Sequence, residues 1–126
     1  MSEQLQMFEE IDEKAVRSVV IKELRLYRAL KVQLENIEER SEHGVVDLYP
    51  VFRKVSPENR LKVQQMERAL NHSLDGDERR IIEMKYLSDE RNKDISVYMD
   101  LGMKKDKYYE VKQQAIKYLA TALGII

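Results

Sequence analysis

The chain has 126 residues, a net charge of −1 and 36% charged residues, which is typical of a single soluble domain rich in helix. It contains no cysteine, so disulfide bonds and thiolate metal sites are excluded. The acidic N-terminal stretch lacks an apolar run and no segment approaches the length of a membrane span, so we expect a cytoplasmic protein without a signal peptide or membrane helix.

The first predicted element is a long amphipathic helix within residues 1–40. Neither glycine nor proline occurs between residues 11 and 40, and apolar side chains recur every three or four positions. These side chains are Val16, Val20, Leu24, Tyr27, Leu30, Leu34 and Ile37. One helix cannot bury such a stripe alone. Two partners stay open: a second copy, giving a homodimer through residues 12–40, or the C-terminal half of the same chain.

Residues 41–56 are predicted to connect this helix to the rest of the chain. Gly44, Pro50 and Pro57 interrupt helical continuity. The segment is nevertheless rich in valine, leucine, tyrosine and phenylalanine, more so than a solvated linker. We therefore expect an ordered connector that packs.

Residues 57–126 are predicted to form a unit of four helices. Ser56 and Pro57 favour a helix start, and the helix is expected to end near His72. Asp75 and Glu78 have the spacing of a capping box that begins the next helix. The expected core residues of these two helices are Leu61, Met66, Ala69, Leu70, Ile81, Ile82, Met84, Tyr86 and Leu87.

The last two predicted helices have the spacing of a helix-turn-helix. A short helix over about 93–101 is followed by Gly102, which can adopt a left-handed conformation, and by a helix over about 104–123. The side chains expected to face the core are Ile95, Met99, Leu101, Met103, Tyr108, Ala115 and Leu119. The side chains expected on the opposite, exposed face are Lys104, Lys105, Lys107, Tyr109, Lys112 and Gln113.

This exposed face has the chemistry of a helix that enters the major groove of double-stranded DNA. Lysines neutralise phosphates and release counterions. Tyr109 can hydrogen-bond a phosphate or contact a thymine methyl group, and Gln113 can read adenine. We therefore predict DNA binding by the helix over 104–123.

Residues 69–124 resemble the C-terminal part of the ArpU-type phage transcriptional regulators, which are related to region 4 of sigma factors. The resemblance lies in RRIIEMKYL, in a short helix ending in LGM, in the double tyrosine and in AIKYLATALGI. It implies a sigma-region-4-like helix-turn-helix and a regulator of late genes in phages and prophages of Gram-positive bacteria, with RNA polymerase as a further partner. One departure is Lys104, where such motifs often carry a serine that caps the helix; Asp106 can favour the helix dipole instead.

No pattern in the sequence predicts an enzyme or a cofactor. His43 and His72 have no partners at ligand spacing, and neighbouring acidic residues splay apart on a helix. The rival to DNA binding is a helical protein-interaction module, such as a phage assembly or adaptor protein, or a factor that binds polymerase without touching free DNA.

Overall fold

The computed structural model describes residues 11–126, and this part of the chain is helical, without a strand. The helices are α1 (Glu13–Glu42), α2 (Glu58–His72), α3 (Gly76–Ile82), α4 (Asp94–Asp100) and α5 (Lys105–Ala122). A π-helical turn, Glu83–Leu87, follows α3 directly. The predicted all-α class is confirmed. Residues 1–10 of the predicted first helix lie outside the described residues.

Three helices, α1, α2 and α3, begin where a side chain accepts a hydrogen bond from an amide of the first turn. The Asp12 carboxylate accepts a hydrogen bond from the Ala15 amide at 3.1 Å. The Ser56 hydroxyl accepts one from the Glu58 amide at 3.2 Å. Asp75 and Glu78 form the predicted capping box, because each side chain accepts from the other residue's amide at 2.8 Å. Each cap satisfies an amide that has no partner inside the helix.

The main core is the apolar stripe of α1 packed against α2, the π-helical turn and α5. Val20 and Leu24 are completely buried, and the Tyr27 hydroxyl donates to Glu67 at 3.2 Å. The buried members are Val20, Leu24, Tyr27, Leu30, Val63, Met66, Ala69, Leu70, Leu74, Ile82, Tyr86, Ala115, Ile116, Leu119 and Ala120. The partner of this stripe is therefore the C-terminal half of the same chain, and the stripe is not open to a second copy.

A second, smaller core fastens α4 to α3 and α5. Ile81, Val97, Tyr108 and Val111 are buried in it. Met103 packs against their edge, as the sequence predicts. This small core holds the two helices of the predicted helix-turn-helix together.

Three residues predicted to be buried are exposed instead. Leu61 is 54% exposed, Ile95 55% and Met99 70%. In α4 the buried position is Val97, about 200° around the helix from both Ile95 and Met99. Val63 takes the place expected of Leu61 in α2. Several faces of these short helices carry apolar residues, and composition alone does not select the buried face.

The connector departs most from expectation. Its apolar side chains are exposed rather than packed: Val46, Leu48, Tyr49, Val51, Phe52 and Val55. Phe52 is as accessible as in an extended chain, at 101%. The Arg40 Nε donates to the Val46 carbonyl at 3.0 Å and ties the start of the connector to α1. The prediction of a packed connector over 41–56 is wrong: residues 41 and 42 belong to α1, and residues 43–56 run along the surface in turns and bends without helix or strand.

None of the helices within residues 11–126 combines the length and the apolar character that crossing a membrane requires.

Truncation of Leu24 tests whether α1 belongs to the core of its own chain. We expect Leu24→Ala to lower the free energy of unfolding by about 2–5 kcal/mol, because it empties a fully buried position. The control Leu61→Ala, at an exposed position of α2, should change it by less than about 0.5 kcal/mol. Urea denaturation followed by circular dichroism measures both. Equal losses would contradict the described packing.

Candidate nucleic-acid interface

The turn between α4 and α5 is closed by Gly102. Its φ of 66° lies in the left-handed region that glycine adopts without steric cost. The Met103 amide donates to the Tyr98 carbonyl at 2.9 Å, and the Gly102 amide donates to the Met99 carbonyl at 3.1 Å. These bonds satisfy carbonyls at the end of α4 and fix the direction in which α5 leaves.

The inner side of α5 is packed as the sequence predicts. Tyr108, Ala115 and Leu119 have no exposed surface. Tyr108 belongs to the small core, whereas Ala115 and Leu119 belong to the main core. The helix therefore links both cores along its length.

One carboxylate joins α4, α5 and the π-helical turn. The Oδ1 atom of Asp94 accepts hydrogen bonds from the Tyr108 hydroxyl at 2.6 Å and from the Lys112 ammonium at 2.9 Å. The Nζ atom of Lys85 lies 3.9 Å from the same oxygen. We call these four residues the Asp94 cluster. It contains a neutral donor and two cations around a single anion, so its carboxylate is strongly solvated by the protein.

Lys112 does not lie on the exposed face of α5, which corrects the expectation from the sequence. Its side chain is only 13% exposed. Its ammonium lies 5.9 Å from the ring centres of Tyr86 and Tyr108 and 5.6 Å from that of Tyr109. These are cation–π distances. Lys112 holds α5 in place from within and is not available to a phosphate.

The environment of Asp94 lowers the pKa of its carboxyl group. Burial acts to raise this pKa, but the hydrogen bonds from Tyr108 and Lys112, with the positive charges of Lys112 and Lys85, outweigh it. Burial and the hydrogen bond to Asp94 both raise the pKa of Tyr108. At neutral pH the cluster therefore contains an ionised carboxylate and a neutral phenol.

The polar loop before α4, residues 88–93, is hydrogen-bonded to Lys85 of the Asp94 cluster and to the π-helical turn. The Lys85 ammonium donates to the Asn92 carbonyl at 2.8 Å, and the Asn92 amide group donates to the Met84 carbonyl at 2.7 Å. The Ser88 hydroxyl bonds the Met84 and Glu90 carbonyls. The loop thus fixes the start of α4, where Asp94 is the first residue.

Sequence reasoning missed Lys85, Tyr86 and Asp94 as determinants of the site. An aspartate at the start of a helix is ordinarily interpreted as a partner of the helix dipole. Asp94 and Lys112 are 18 residues apart, a separation without local periodicity. Only the tertiary arrangement brings them together.

The outward side of α5 carries most of the predicted DNA contacts. Lys104, Lys105, Lys107 and Gln113 are exposed, while Tyr109 is half-buried. The ring centre of Tyr109 lies 5.2 Å from that of Tyr108, in an edge-on arrangement that limits its reach. The three lysines cluster at the start of the helix and are not covered by another part of residues 11–126.

The exposed face is not purely cationic. Asp106 and Glu110 are also exposed on it. Lys105 and Lys107 stand about 200° apart around the helix axis, so they border these acids rather than forming one continuous ridge. The positive charge is therefore concentrated at the N-terminal end of α5, and the acids restrict which surface of a polyanion can approach the middle.

Lys104 immediately precedes α5, and its side chain makes no capping hydrogen bond, as its chemistry predicts. Its carbonyl accepts from the Tyr108 amide at 2.9 Å. Asp106 lies in the first turn, where a negative charge favours the helix dipole.

The described residues contain no group of three histidine, cysteine or acidic side chains that could hold a metal ion. His43 and His72 are exposed at the ends of α1 and α2. A groove of about 730 Å³ lies between α1 and the connector. Another of about 690 Å³ lies between α1, α2 and the end of the π-helical turn.

The chain matches no protein-family profile, no curated protein and no solved structure. The resemblance to ArpU-type regulators therefore depends on the residues quoted above, and what it implies about function is a proposal.

Replacing Asp94 tests whether the cluster anchors α5. We expect Asp94→Asn to lower the free energy of unfolding at pH 7 by about 1.5–3 kcal/mol, because Lys112 loses its charged partner. The pKa of Asp94 is lower in the folded protein, so this stabilisation is complete above the unfolded pKa. It is lost as the pH falls through the folded pKa.

Denaturation of wild type and Asp94→Asn between pH 7 and pH 2 measures the difference, which should shrink in the acid range. Asp89→Asn is the matched control, since that carboxylate is fully exposed in its pair with Arg28. Its effect should stay below about 0.5 kcal/mol. A wild-type advantage over Asp94→Asn that is the same at every pH would contradict the role of the charge.

Proposed function

We propose that the protein is a DNA-binding transcriptional regulator whose recognition helix is α5. The observation that supports this best is the arrangement of that helix: its inner side is packed into two cores, while Lys104, Lys105 and Lys107 are exposed at its start. A helix that docks in the major groove needs a fixed inner side and a cationic outer one.

The Asp94 cluster supports the same proposal through preorganisation. It joins the first residue of α4 to the first and second turns of α5, so the two helices keep one relative orientation before DNA arrives. A helix that is already held in its binding orientation loses less conformational entropy on association. Without the cluster, the short helix α4 would contact α5 mainly through the small core.

The roles of individual residues follow from their exposure. Lys104, Lys105 and Lys107 contact phosphates, where each adds a salt-dependent increment to affinity. Gln113 lies six residues beyond Lys107 and is exposed, so it is the residue proposed to read a base edge. Asp106 and Glu110 repel phosphates and help to select the approach.

The finer assignment comes from the resemblance to ArpU-type regulators. It suggests control of phage or prophage late genes by a sigma-region-4-like helix-turn-helix, with RNA polymerase as a further partner. The helical order from α3 to α5, with a glycine turn before the last helix, is compatible with that layout.

A second candidate function is a protein-interaction module, and the exposed connector favours it. Large apolar surfaces that stay exposed mark sites of protein contact. Phe52, Tyr49 and Val46 are at least 79% exposed. An adaptor or polymerase-binding factor would use this surface without contacting free DNA.

Charge reversal distinguishes the two functions. We expect the double variant Lys105→Glu and Lys107→Glu to weaken binding to duplex DNA and to reduce the slope of log K against log salt by about 2. Its thermal stability should stay near that of wild type, because both side chains are exposed. Fluorescence anisotropy with labelled duplexes at several salt concentrations measures the slope.

The matched control reverses Arg60 and Arg68, two exposed cations on α2, with the same change in net charge. A similar loss in both double variants would show that only the overall charge matters. If wild type fails to bind any duplex at low salt, the protein-interaction function replaces the proposal.

Gln113 allows a test of sequence reading. Once selection from random duplexes has given a preferred site, Gln113→Ala should relax the preference at one A·T pair by about 1–3 kcal/mol. The salt slope should not change, since no phosphate contact is removed. Competition binding with single-base variants of the site measures this. An unchanged preference at every position would contradict base contact by Gln113.

A further inference from the structure

A row of side chains without an acid runs along the solvent side of α1. Its members follow one another at intervals of three or four residues, a spacing that keeps them on one side of the helix. They are Lys14, Ser18, Lys22, Arg25, Ala29, Val32, Asn36 and Arg40. We call them the basic strip of α1. Ser18 lies about 200° around the helix axis from the buried Val20, so the strip points away from the main core.

The acids of α1 lie beside the basic strip rather than on it. N-terminal to Ala29 the nearest acids, Glu13 and Glu23, lie about 100° around the helix from the strip. Glu23 is paired instead with Lys62 of α2, at 3.2 Å. Glu35 and Glu39 border the strip only toward its C-terminal end. Among residues 11–126 three of its cations form no ion pair: Lys14, Lys22 and Arg25.

The C-terminal end of the basic strip forms one wall of the groove beside the connector, whose volume is about 730 Å³. Its apolar lining comes from both elements: Ala29, Val32, Val46, Val51, Phe52 and Val55. Its charged lining consists of three cations and one acid: Arg40, Arg53, Lys54 and Asp47. The groove therefore combines open apolar surface with an excess of positive charge, and the strip continues that positive charge along α1.

We propose that the groove and the basic strip together bind an acidic peptide segment of another protein. The apolar side chains of the segment fill the groove, and its carboxylates lie along Lys14, Lys22 and Arg25. Unpaired cations select a partner of opposite charge. The aliphatic lining selects a peptide over a nucleic acid, because the charged backbone of a nucleic acid would leave Val32 and Val51 without an apolar partner.

The dimensions of the strip define the length of the segment. Lys14 and Asn36 are separated by about 33 Å along the helix, at 1.5 Å per residue. An extended segment of about ten residues spans that distance. Phe52 is fully exposed, at 101%, so its burial under the apolar end of the segment contributes most to affinity. This inference names the partner chemistry for the second candidate function, and it does not depend on DNA binding by α5.

Peptide selection tests the chemistry of the partner. The immobilised full chain is presented with a displayed library of random peptides about 16 residues long, which exceeds the length that the strip requires. The enriched peptides should combine aliphatic or aromatic residues with an excess of aspartate and glutamate. Enrichment of basic or uncharged peptides would overturn the proposal, and so would the absence of any enrichment.

Two substitutions test where the most enriched peptide binds. Arg25→Glu should weaken its binding about tenfold, because attraction becomes repulsion, and Phe52→Ser should do the same by removing apolar contact. The matched controls are Arg68→Glu on α2 and Met99→Ser on α4, an exposed cation and an exposed apolar residue elsewhere. Both should keep wild-type affinity in fluorescence anisotropy, and all four variants should melt near the wild-type temperature. Equal losses in the controls would contradict the proposed site.

Nucleic acid is the competing ligand for a surface with cations and an exposed aromatic ring. Labelled single-stranded and duplex DNA are therefore titrated with the same four variants, and we expect Phe52→Ser to bind both as wild type does. A loss of DNA binding in Phe52→Ser and Arg25→Glu, but not in the controls, would assign the surface to nucleic acid and overturn the peptide. Binding of duplex DNA by α5 is tested separately at Lys105 and Lys107, so failure of one proposal is distinguishable from failure of the other.

Discussion

The carboxylate of Asp94 fixes the geometry on which the candidate interface depends. It accepts the Tyr108 hydroxyl and the Lys112 ammonium on one oxygen, with Lys85 close by. These partners come from α5 and the π-helical turn, so three elements meet at one atom. Because the site is largely shielded from water, the attraction is stronger than that of a surface pair. The orientation of α5 relative to α4 follows from this contact and from the small core around Val97.

The cluster also explains how the charge of α5 is divided. The Lys112 side chain is directed into the protein, where three tyrosine rings and a carboxylate surround its ammonium group. Lys104, Lys105 and Lys107 stay in solvent. Lysines a few residues apart thus have different tasks, one in positioning the helix and three in presenting positive charge. The division follows from the direction of each side chain, since Lys112 shares the inner side with Tyr108 and Ala115.

Local features of the fold could be predicted from the sequence, and those that depend on distant contacts could not. The presence of a long helix α1, the capping box at Asp75 and the turn at Gly102 are encoded in local sequence, and the structure confirms them. The same is true of the buried positions of α5, where a long periodic pattern defines one side. The short helix α4 is more ambiguous: it has apolar residues on more than one side, and the burial of Val97 rather than Ile95 depends on where α5 lies.

In the connector and the candidate site as well, contacts between distant residues could not be predicted from the sequence. Apolar content predicts that burial of a segment is favourable, but not that the same chain buries it, and Phe52 is exposed to solvent. The exposure of Lys104, Lys105, Lys107 and Gln113 could be predicted from periodicity. Periodicity also places Lys112 on the inner side, four residues after Tyr108 and three before Ala115; what could not be predicted is its partner Asp94, which comes from another helix. The two open surfaces lie on different elements, α5 for the cationic one and the connector for the apolar one.

Gly102 has a consequence for how this chain tolerates variation. A Cβ atom built at that position would meet nothing within 4 Å, so crowding is no obstacle to a larger residue. The only penalty is the left-handed backbone, about 1–2 kcal/mol for most residues and less for asparagine. Asparagine there would therefore keep the same bend at a small cost, whereas the β-branched residues valine and isoleucine would be the most strained in this conformation.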